Sequence, residues 1–191
     1  MLTEETRKIL KESNLNIDDL KQILLDNFIN GDDLYLVGLD FSDFEGDVYI
    51  SEMKVKRNLW QGCQKVGGNL SQYFQTVGRD LYQNNQEVGE TLFQNHQQVK
   101  EDLWQDQQEV SCDLWQNFQK VKGDLMQNYQ EVKGDLHQDS QEVQGCLLQG
   151  FQKVQGSLWQ DKQKVKCDLK QDCQSVKGDL YSCESNIKEK K

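Results

Sequence analysis

Apolar and polar side chains recur along most of this chain in a phrase of eleven residues, L-x-Q-x-x-Q-x-V-x-G-D, which runs from Leu59 to Ile187 without a gap or an insertion. Leucine opens every phrase, and valine holds the eighth position in all but the last. Glutamine holds the third and sixth positions except in the last phrase, where Ser182 and Ser185 stand. A period this strict is the signature of a repeat architecture.

The residues just before the repeat indicate which of its positions point inward. Val48, Ile50, Met53 and Val55 are in frame with the later phrases, and Ile50 and Met53 stand where those phrases have their two glutamines. Positions one, three, six and eight are therefore predicted to face the core. An earlier apolar set has the same spacing: Leu34, Leu36, Leu39 and Phe41. Between Phe41 and Val48 the frame slips by three residues, which predicts a bulge or an irregular coil there.

An eleven-residue period has two structural interpretations. It equals about 3.67 residues per turn, which is the signature of a right-handed helical supercoil. Against a helix, the ninth and tenth positions contain Gly67, Gly68, Gly78, Gly89, Gly123, Gly134, Gly145, Gly156 and Gly178. Each glycine in a helix interior costs about 1 kcal/mol relative to alanine, and the chain has no alanine. We therefore predict short β-strands.

In the β interpretation, inward residues follow one another at intervals of two, three, two and four. Intervals of two and three describe a sheet that turns a square corner every five residues, and the x-Gly-Asp step adds one residue at every second corner. Two phrases then close one four-sided coil of 22 residues, and about six coils stack at roughly 4.8 Å. A flat two-sided coil of one phrase is the alternative, but it forces the two inward glutamines together.

With this spacing the chain resembles the pentapeptide-repeat family, a quadrilateral right-handed β-solenoid. The resemblance covers roughly Leu34 to Lys188, and its closest local match is Leu39-Asp40-Phe41-Ser42-Asp43. The chain departs from the family in its eleven-residue phrase and in its paired glutamines. Some acidic members of that family imitate DNA and occupy topoisomerases, so the resemblance implies the same activity as an alternative function.

The predicted organisation has three parts. Residues 1–31 form a helical N-terminal cap, with Thr3 beginning one helix and Asn16 or Asp18 capping a second. Residues 34–187 form the β-solenoid, and residues 188–191 form a charged C-terminal tail. Since open sheet ends invite polymerisation, we expect the cap and the tail to guard them.

Inward glutamines need hydrogen-bond partners, because an unpaired buried amide costs a few kcal/mol, on the order of 2–7. Stacked coils place identical residues above each other, so each amide N–H can bond to the amide oxygen of the next coil. We therefore predict glutamine ladders along the series Gln61 to Gln171 and Gln64 to Gln174. An exposed glutamine binding surface is the alternative.

The composition narrows the classes of function. A net charge of −10 and a pI near 4.7 argue against direct binding of nucleic-acid phosphates, which needs clustered lysine and arginine. No run of about 20 apolar residues is present to span a membrane, and the N-terminus lacks the pattern of a signal peptide. The expectation is a cytoplasmic protein without a membrane partner.

The residue types that carry chemistry are scattered. The six cysteines, Cys63, Cys112, Cys146, Cys167, Cys173 and Cys183, form no C-x-x-C pair, so reduced thiols are expected, with a disulfide or a metal role as the alternative. The two histidines lie in different phrases, and no phosphate loop is present. We predict no enzyme, no cofactor and no metal.

The eleventh position carries a column of aspartates that could hold cations: Asp80, Asp102, Asp113, Asp124, Asp135, Asp168 and Asp179. Lysines at the ninth position offer a simpler role for the column, in which they neutralise it: Lys100, Lys122, Lys133, Lys166 and Lys177. A divalent ion needs several oxygens converging on one point, so neutralisation is the expectation.

The second position should point outward, yet it is largely apolar. In a 22-residue coil these side chains fall on two opposite faces, with Trp60, Tyr82, Trp104, Met126 and Leu148 on one and Phe93, Trp115, Trp159 and Tyr181 on the other. Columns of this kind mark an interaction surface or stack on each other and stiffen the sheet. The predicted partner-binding residues are Trp60, Tyr82, Phe93, Trp104, Trp115, Trp159 and Tyr181.

The sequence thus predicts a non-enzymatic structural or interaction protein. We expect a rigid β-solenoid scaffold that binds a protein partner or its own copy through these columns. Imitation of DNA towards a topoisomerase is the first alternative. Binding of ice or a polysaccharide is a weaker one, because ordered threonine arrays are missing.

Overall fold

The computed structural model describes residues 34–36, 40–42, 47–51, 54–182 and 186–187. Within these ranges the regular structure is entirely β, with 28 strands of two residues each in four parallel seven-stranded sheets. The choice of strands over a helical supercoil is therefore confirmed for the repeat. The predicted helical cap and the predicted charged tail lie outside the described residues.

Two of the four sheets contain the first and second positions of the phrase. Sheet 1 is formed by β1 (Leu34–Tyr35), β5 (Leu59–Trp60), β9 (Leu81–Tyr82), β13 (Leu103–Trp104), β17 (Leu125–Met126), β21 (Leu147–Leu148) and β25 (Leu169–Lys170). Sheet 3 is formed by β3 (Val48–Tyr49), β7 (Leu70–Ser71), β11 (Leu92–Phe93), β15 (Leu114–Trp115), β19 (Leu136–His137), β23 (Leu158–Trp159) and β27 (Leu180–Tyr181).

The other two sheets contain the seventh and eighth positions. Sheet 2 is formed by β2 (Asp40–Phe41), β6 (Lys65–Val66), β10 (Glu87–Val88), β14 (Glu109–Val110), β18 (Glu131–Val132), β22 (Lys153–Val154) and β26 (Ser175–Val176). Sheet 4 is formed by β4 (Lys54–Val55), β8 (Thr76–Val77), β12 (Gln98–Val99), β16 (Lys120–Val121), β20 (Glu142–Val143), β24 (Lys164–Val165) and β28 (Asn186–Ile187).

The strand register fixes the length of one coil. Leu103 pairs with Leu81 on one side and with Leu125 on the other, each 22 residues away along the chain. The four-sided coil is confirmed, and the flat coil of one phrase is excluded. In the first coil the partners of β1 and β2 lie 25 residues away, whereas β3 pairs at 22. The predicted slip of three residues therefore lies between Phe41 and Val48, and residues 43–46 are outside the described ranges.

The core contains the inward residues that the spacing predicts. The leucines that open the phrases from Leu59 to Leu158 are 0% exposed, and the valines of the eighth position from Val66 to Val165 are at most 3% exposed. Ile50 is 3% exposed, which confirms that the third position faces inward. Met53 lies outside the described residues. The seventh position points to solvent across most of sheets 2 and 4, as the alternation of a strand requires.

Glutamine fills the centre of the solenoid in a denser arrangement than simple ladders. Gln105 Nε2 lies 3.0 Å from Gln83 Oε1 in the same column, 3.1 Å from Gln94 Oε1 in the opposite column and 3.0 Å from Gln97 Oε1. Gln108 Nε2 bonds to the Gln83 carbonyl oxygen at 3.1 Å and to Gln86 Oε1 at 3.2 Å. The predicted ladders are confirmed, and bonds between columns join them into one network.

The two kinds of corner have different backbone requirements. The fifth position has a positive φ of 51° to 58° in eleven successive phrases, from Cys63 to Cys173, although none of these residues is glycine. The x-Gly-Asp corner instead needs space. A Cβ on Gly123 would collide with the Asp102 carboxylate and the Glu101 backbone of the preceding coil.

Candidate functional site

The second position of the phrase forms two outward columns of side chains. Each residue follows the opening leucine of its phrase within a two-residue strand and so points away from the core; that leucine is buried from Leu59 to Leu158, whereas Leu180 before Tyr181 is exposed. Parallel pairing at 22 residues then places equivalent residues directly above one another, as for Trp104 and Tyr82 on sheet 1 and for Phe93 and Trp115 on sheet 3. The predicted division of the columns between two opposite sheets is therefore present.

The rings of these columns stack along the solenoid axis. On sheet 1 the ring centroids of Trp60 and Tyr82 are 5.5 Å apart, and those of Tyr82 and Trp104 are 6.1 Å apart. On sheet 3 His137 lies between Trp115, at 3.8 Å, and Trp159, at 5.9 Å. The stacks supply the cross-strand contacts of the stiffening interpretation.

The predicted surface is less open than the sequence suggests. Most side chains of the two columns are half-buried, and Met126 is buried at 5% exposure, whereas Tyr181 is 38% exposed. Ring edges are therefore what a partner would contact. Trp159 Nε1 is buried and has no hydrogen-bond partner, which leaves an unsatisfied donor within the sheet 3 column.

Polar groups adjust the properties of the columns. The Tyr82 hydroxyl donates to Asp80 Oδ2 at 3.2 Å, and burial, together with the charge and hydrogen bond of Asp80, raises the pKa of Tyr82. Burial lowers the pKa of His137, although the nearby carboxylates of Asp139, Asp135 and Asp113 oppose that shift. Burial thus favours neutral imidazole within the tryptophan stack.

A second set of rings, at the fifth position, escaped the sequence argument. On the corner between sheets 3 and 4, the His96 ring stacks between Phe74 and Phe118 with centroids 4.9 Å apart on both sides. On the corner between sheets 1 and 2, Tyr129 and Phe151 stack at 4.9 Å. The four large rings are 50% to 57% exposed. Their spacing of 22 or 44 residues is present in the sequence and could have indicated a column. The alternation of apolar and polar residues, however, does not predict a left-handed backbone at this corner.

The aspartates of the eleventh position accept hydrogen bonds from backbone N–H groups. Asp80 Oδ1 accepts the N–H of Asp102 at 3.0 Å, and Asp102 Oδ1 accepts the N–H of Asp124 at 2.8 Å. The lysines of the ninth position make no ion pair with this column among the described residues. Pairing with backbone N–H groups of the next coil, rather than neutralisation by lysine, is therefore the structural role of the column.

Two of the scattered cysteines come together in the fold. Cys146 Sγ lies 2.8 Å from Cys167 Sγ, because the two residues are 21 apart, close to one coil. Asp168 offers a carboxylate oxygen within 4.8 Å of both thiols, and this trio is the one group of potential metal ligands in the part of the chain that the structure describes. The hydrogen bond to Cys167 is the main cause that raises the pKa of the Cys146 thiol.

The described geometry defines a parallel β-solenoid with a glutamine core and aromatic surface columns. The chain matches no protein-family model, no curated protein and no solved structure. No helix long and apolar enough to cross a membrane occurs in the described ranges.

Proposed function

We propose that this protein is a non-enzymatic scaffold that binds a protein partner or a second copy of itself through its outward ring columns. The observation that supports the proposal is the pair of ring stacks on two opposite faces of the solenoid, sheets 1 and 3. Half-buried tryptophan and tyrosine rings offer apolar area at a low cost in side-chain entropy, and such residues are enriched at interfaces.

Rigidity is the other property that a scaffold needs. The glutamine network and the leucine and valine columns tie each coil to both of its neighbours. A partner that contacts several coils therefore meets a surface that is ordered before binding, which lowers the entropic cost of association.

Sedimentation equilibrium of the full chain with increasing concentration tests self-association. We expect replacement of Trp104, Trp115 and Trp159 by serine to abolish it, because the ring edges are lost. Phenylalanine at the same three positions is the matched control, since it keeps the stacks, and far-ultraviolet circular dichroism confirms that both variants fold. If the serine variant folds and associates like the parent, the columns only stiffen the sheets.

If the parent chain is monomeric, capture of a protein partner by the parent and not by the serine variant becomes the test. The phenylalanine control must retain the partner. Equal capture by all three proteins would reject the ring columns as the binding surface.

A further inference from the structure

Sheet 4 carries an outward surface that is unlike the rest of this acidic protein. Its exposed side chains come from the seventh and ninth positions, which contain seven lysines and one glutamate. The lysines are Lys54, Lys56, Lys100, Lys120, Lys122, Lys164 and Lys166, and the glutamate is Glu142. On sheet 2, the charged side chains described at the same positions are four lysines and three glutamates. The fold therefore concentrates positive charge on one of two otherwise equivalent faces.

Local pairing leaves most of this positive charge in place. Glu142 is shared between Lys120, at 3.8 Å, and Lys164, at 3.3 Å, and all three side chains are exposed. Lys100, Lys122 and Lys166 make no ion pair with a described residue. Exposed ion pairs of this kind contribute little, so the ammonium groups of Lys100, Lys120, Lys122, Lys164 and Lys166 stay available to an anionic ligand.

The lysine columns border a groove, which we call the lysine groove. It has a volume of about 750 Å³ and runs across several coils between Thr76 and Lys166. It is lined by lysines of both columns and by the strands that contain Val99, Val121, Val143 and Val165, whose side chains are buried in the core. The coils stack at the strand spacing of roughly 4.8 Å, so the cations lie in two straight rows along the solenoid axis. The rows are interrupted by Thr76, Gln98 and Glu142 at the seventh position and by Gly78 and Gln144 at the ninth.

An exposed aromatic column lies beside the groove. Phe118 precedes Lys120 by two residues and belongs to the stacked corner rings of Phe74, His96 and Phe118. The equivalent residue one coil further is Ser140, so no ring of its own column covers that side of Phe118. Phe118 is 50% exposed. A planar group can stack on it while a charged chain follows the lysines.

From this juxtaposition we propose that the lysine groove binds single-stranded nucleic acid, with phosphates along the lysine columns and a base stacked on Phe118. Groove-lining cations and neighbouring aromatic rings are the features that sequence-independent single-strand binding uses. A flexible strand can follow a straight row of cations, whereas the backbones of a rigid duplex wind away from it. Binding is independent of sequence, because the groove reads charge and a ring face.

The net charge of the chain does not oppose this proposal as strongly as its value suggests. Residues 1–46 hold eleven acidic and four basic side chains, whereas residues 47–182 hold nineteen and fifteen. The range 47–182, which contains all seven lysines of sheet 4, therefore carries a net charge of −4 out of the total of −10. The expectation that nucleic acid does not bind rested on net charge and on the apparent lack of clustered lysine, and the fold supplies the cluster.

Fluorescence anisotropy of a labelled 20-nucleotide oligo-dT with the full chain tests the proposal. We expect saturable binding at low salt, and a slope of log K against log salt of about −0.7 per contacted phosphate. Changing Lys100, Lys122 and Lys166 to glutamine should weaken binding at least tenfold and flatten the slope by about 2. The control carries Lys133→Gln, Lys153→Gln and Lys177→Gln, the same change of net charge on sheet 2, and should bind like the parent.

Phe118→Ser should weaken binding at least about fivefold through the loss of base stacking. Phe151→Ser is its matched control, because Phe151 is equally exposed at the opposite corner beside sheet 2. Equal affinity of these two variants overturns the stacking contact.

Three results would overturn the site itself. The first is no binding by the full chain at 50 mM salt. The second is equal weakening by both lysine triples, which would mean a net-charge effect. The third is equal or tighter binding of a DNA duplex or of a poly-glutamate peptide of the same length, which would assign the groove to a different class of ligand.

Discussion

Glutamine at the third and sixth positions shares the interior of each coil with the buried leucine and valine columns. Every glutamine of these two series from Gln61 to Gln163 is at most 2% exposed. An amide in such a place is tolerated only when its donors and its acceptor are both satisfied. Oε1 atoms in the middle coils accept from several Nε2 groups, as Gln116 Oε1 does, so the amides form a branched network rather than separate donor–acceptor pairs.

A single break in this network should be costly. Gln116 Oε1 accepts from Gln127, Gln130 and Gln138 at 3.0 to 3.2 Å, so Gln116→Leu removes an acceptor that three buried amides share. We expect a loss of about 1–3 kcal/mol in the free energy of unfolding. Gln155→Leu, at an exposed ninth position, is the control and should change stability by less than about 0.5 kcal/mol. Urea unfolding measures both, and equal values would mean that the network adds no stability.

His137 should make stability depend on pH. Burial lowers its pKa below the ordinary value of about 6.5. The unfolded chain therefore takes up the proton at a higher pH than the folded chain. The free energy of unfolding should fall as the pH decreases below about 6.5 and passes through the folded-state pKa.

His137→Phe removes the titrating imidazole, and with it this pH dependence, and keeps a ring between Trp115 and Trp159. We expect the difference in unfolding free energy, variant minus parent, to increase between pH 7.5 and pH 5. Urea unfolding at several pH values is the measurement. Parallel pH profiles for the two proteins would contradict the assignment.

At the scale of the element, the strands, the inward positions and the places of the corners could be predicted, but the left-handed backbone of the corner at the fifth position could not. Val48, Ile50 and the recurring Leu and Val gave the inward spacing of two, three, two and four, which the burial of these positions confirms. A left-handed fifth position has no mark in the alternation. Glycine or asparagine normally fills such a site, yet Asn85 is its one asparagine and Phe74 and Phe118 occupy it elsewhere.

The left-handed backbone at the fifth position predicts that glycine stabilises the protein there and that a β-branched residue destabilises it. Ser140 has a φ of 55°, so Ser140→Gly should raise the free energy of unfolding by about 0.5–1 kcal/mol, because glycine adopts this region without a Cβ clash. Ser140→Val should lower it by about 1–3 kcal/mol. Ser175→Gly, in strand β26, is the control and should lower it by about 0.5–1 kcal/mol. Thermal or urea unfolding measures all three, and destabilisation by Ser140→Gly would contradict the backbone assignment.

At the scale of the whole molecule, two similar phrases make each coil, and the four faces differ mainly in their outward residues. Position one, three, six and eight are the same in both phrases, so the core has an approximate twofold repeat. Sheets 2 and 4 share their inward valines but not their charges. The concentration of lysines on sheet 4 could have been predicted from the sequence. It follows when the seventh and ninth positions are divided between two faces at a spacing of 22 residues, as the second position was.

This near-equivalence predicts which deletions the solenoid tolerates. Removing residues 114–135 takes out one coil and keeps every column in register. Removing residues 114–124 takes out one phrase, so in all later coils the outward residues of sheets 1 and 2 move to sheets 3 and 4 and the reverse. The inward leucines, glutamines and valines still meet their equivalents. We expect both proteins to unfold cooperatively with a β-type circular dichroism spectrum, because stability in a solenoid is roughly a sum over neighbouring repeats. The one-phrase deletion should be less stable than its length alone implies, since its ring stacks no longer align.

Removing residues 114–118 is the informative contrast. It shifts the later frame by five residues, so leucine and glutamine no longer meet leucine and glutamine of the coil below. We expect cooperative unfolding to be lost or restricted to the coils before the deletion. If the five-residue deletion unfolds like the other two, core register does not determine the fold. If the one-phrase deletion fails while the one-coil deletion folds, the coil rather than the phrase is the smallest exchangeable unit.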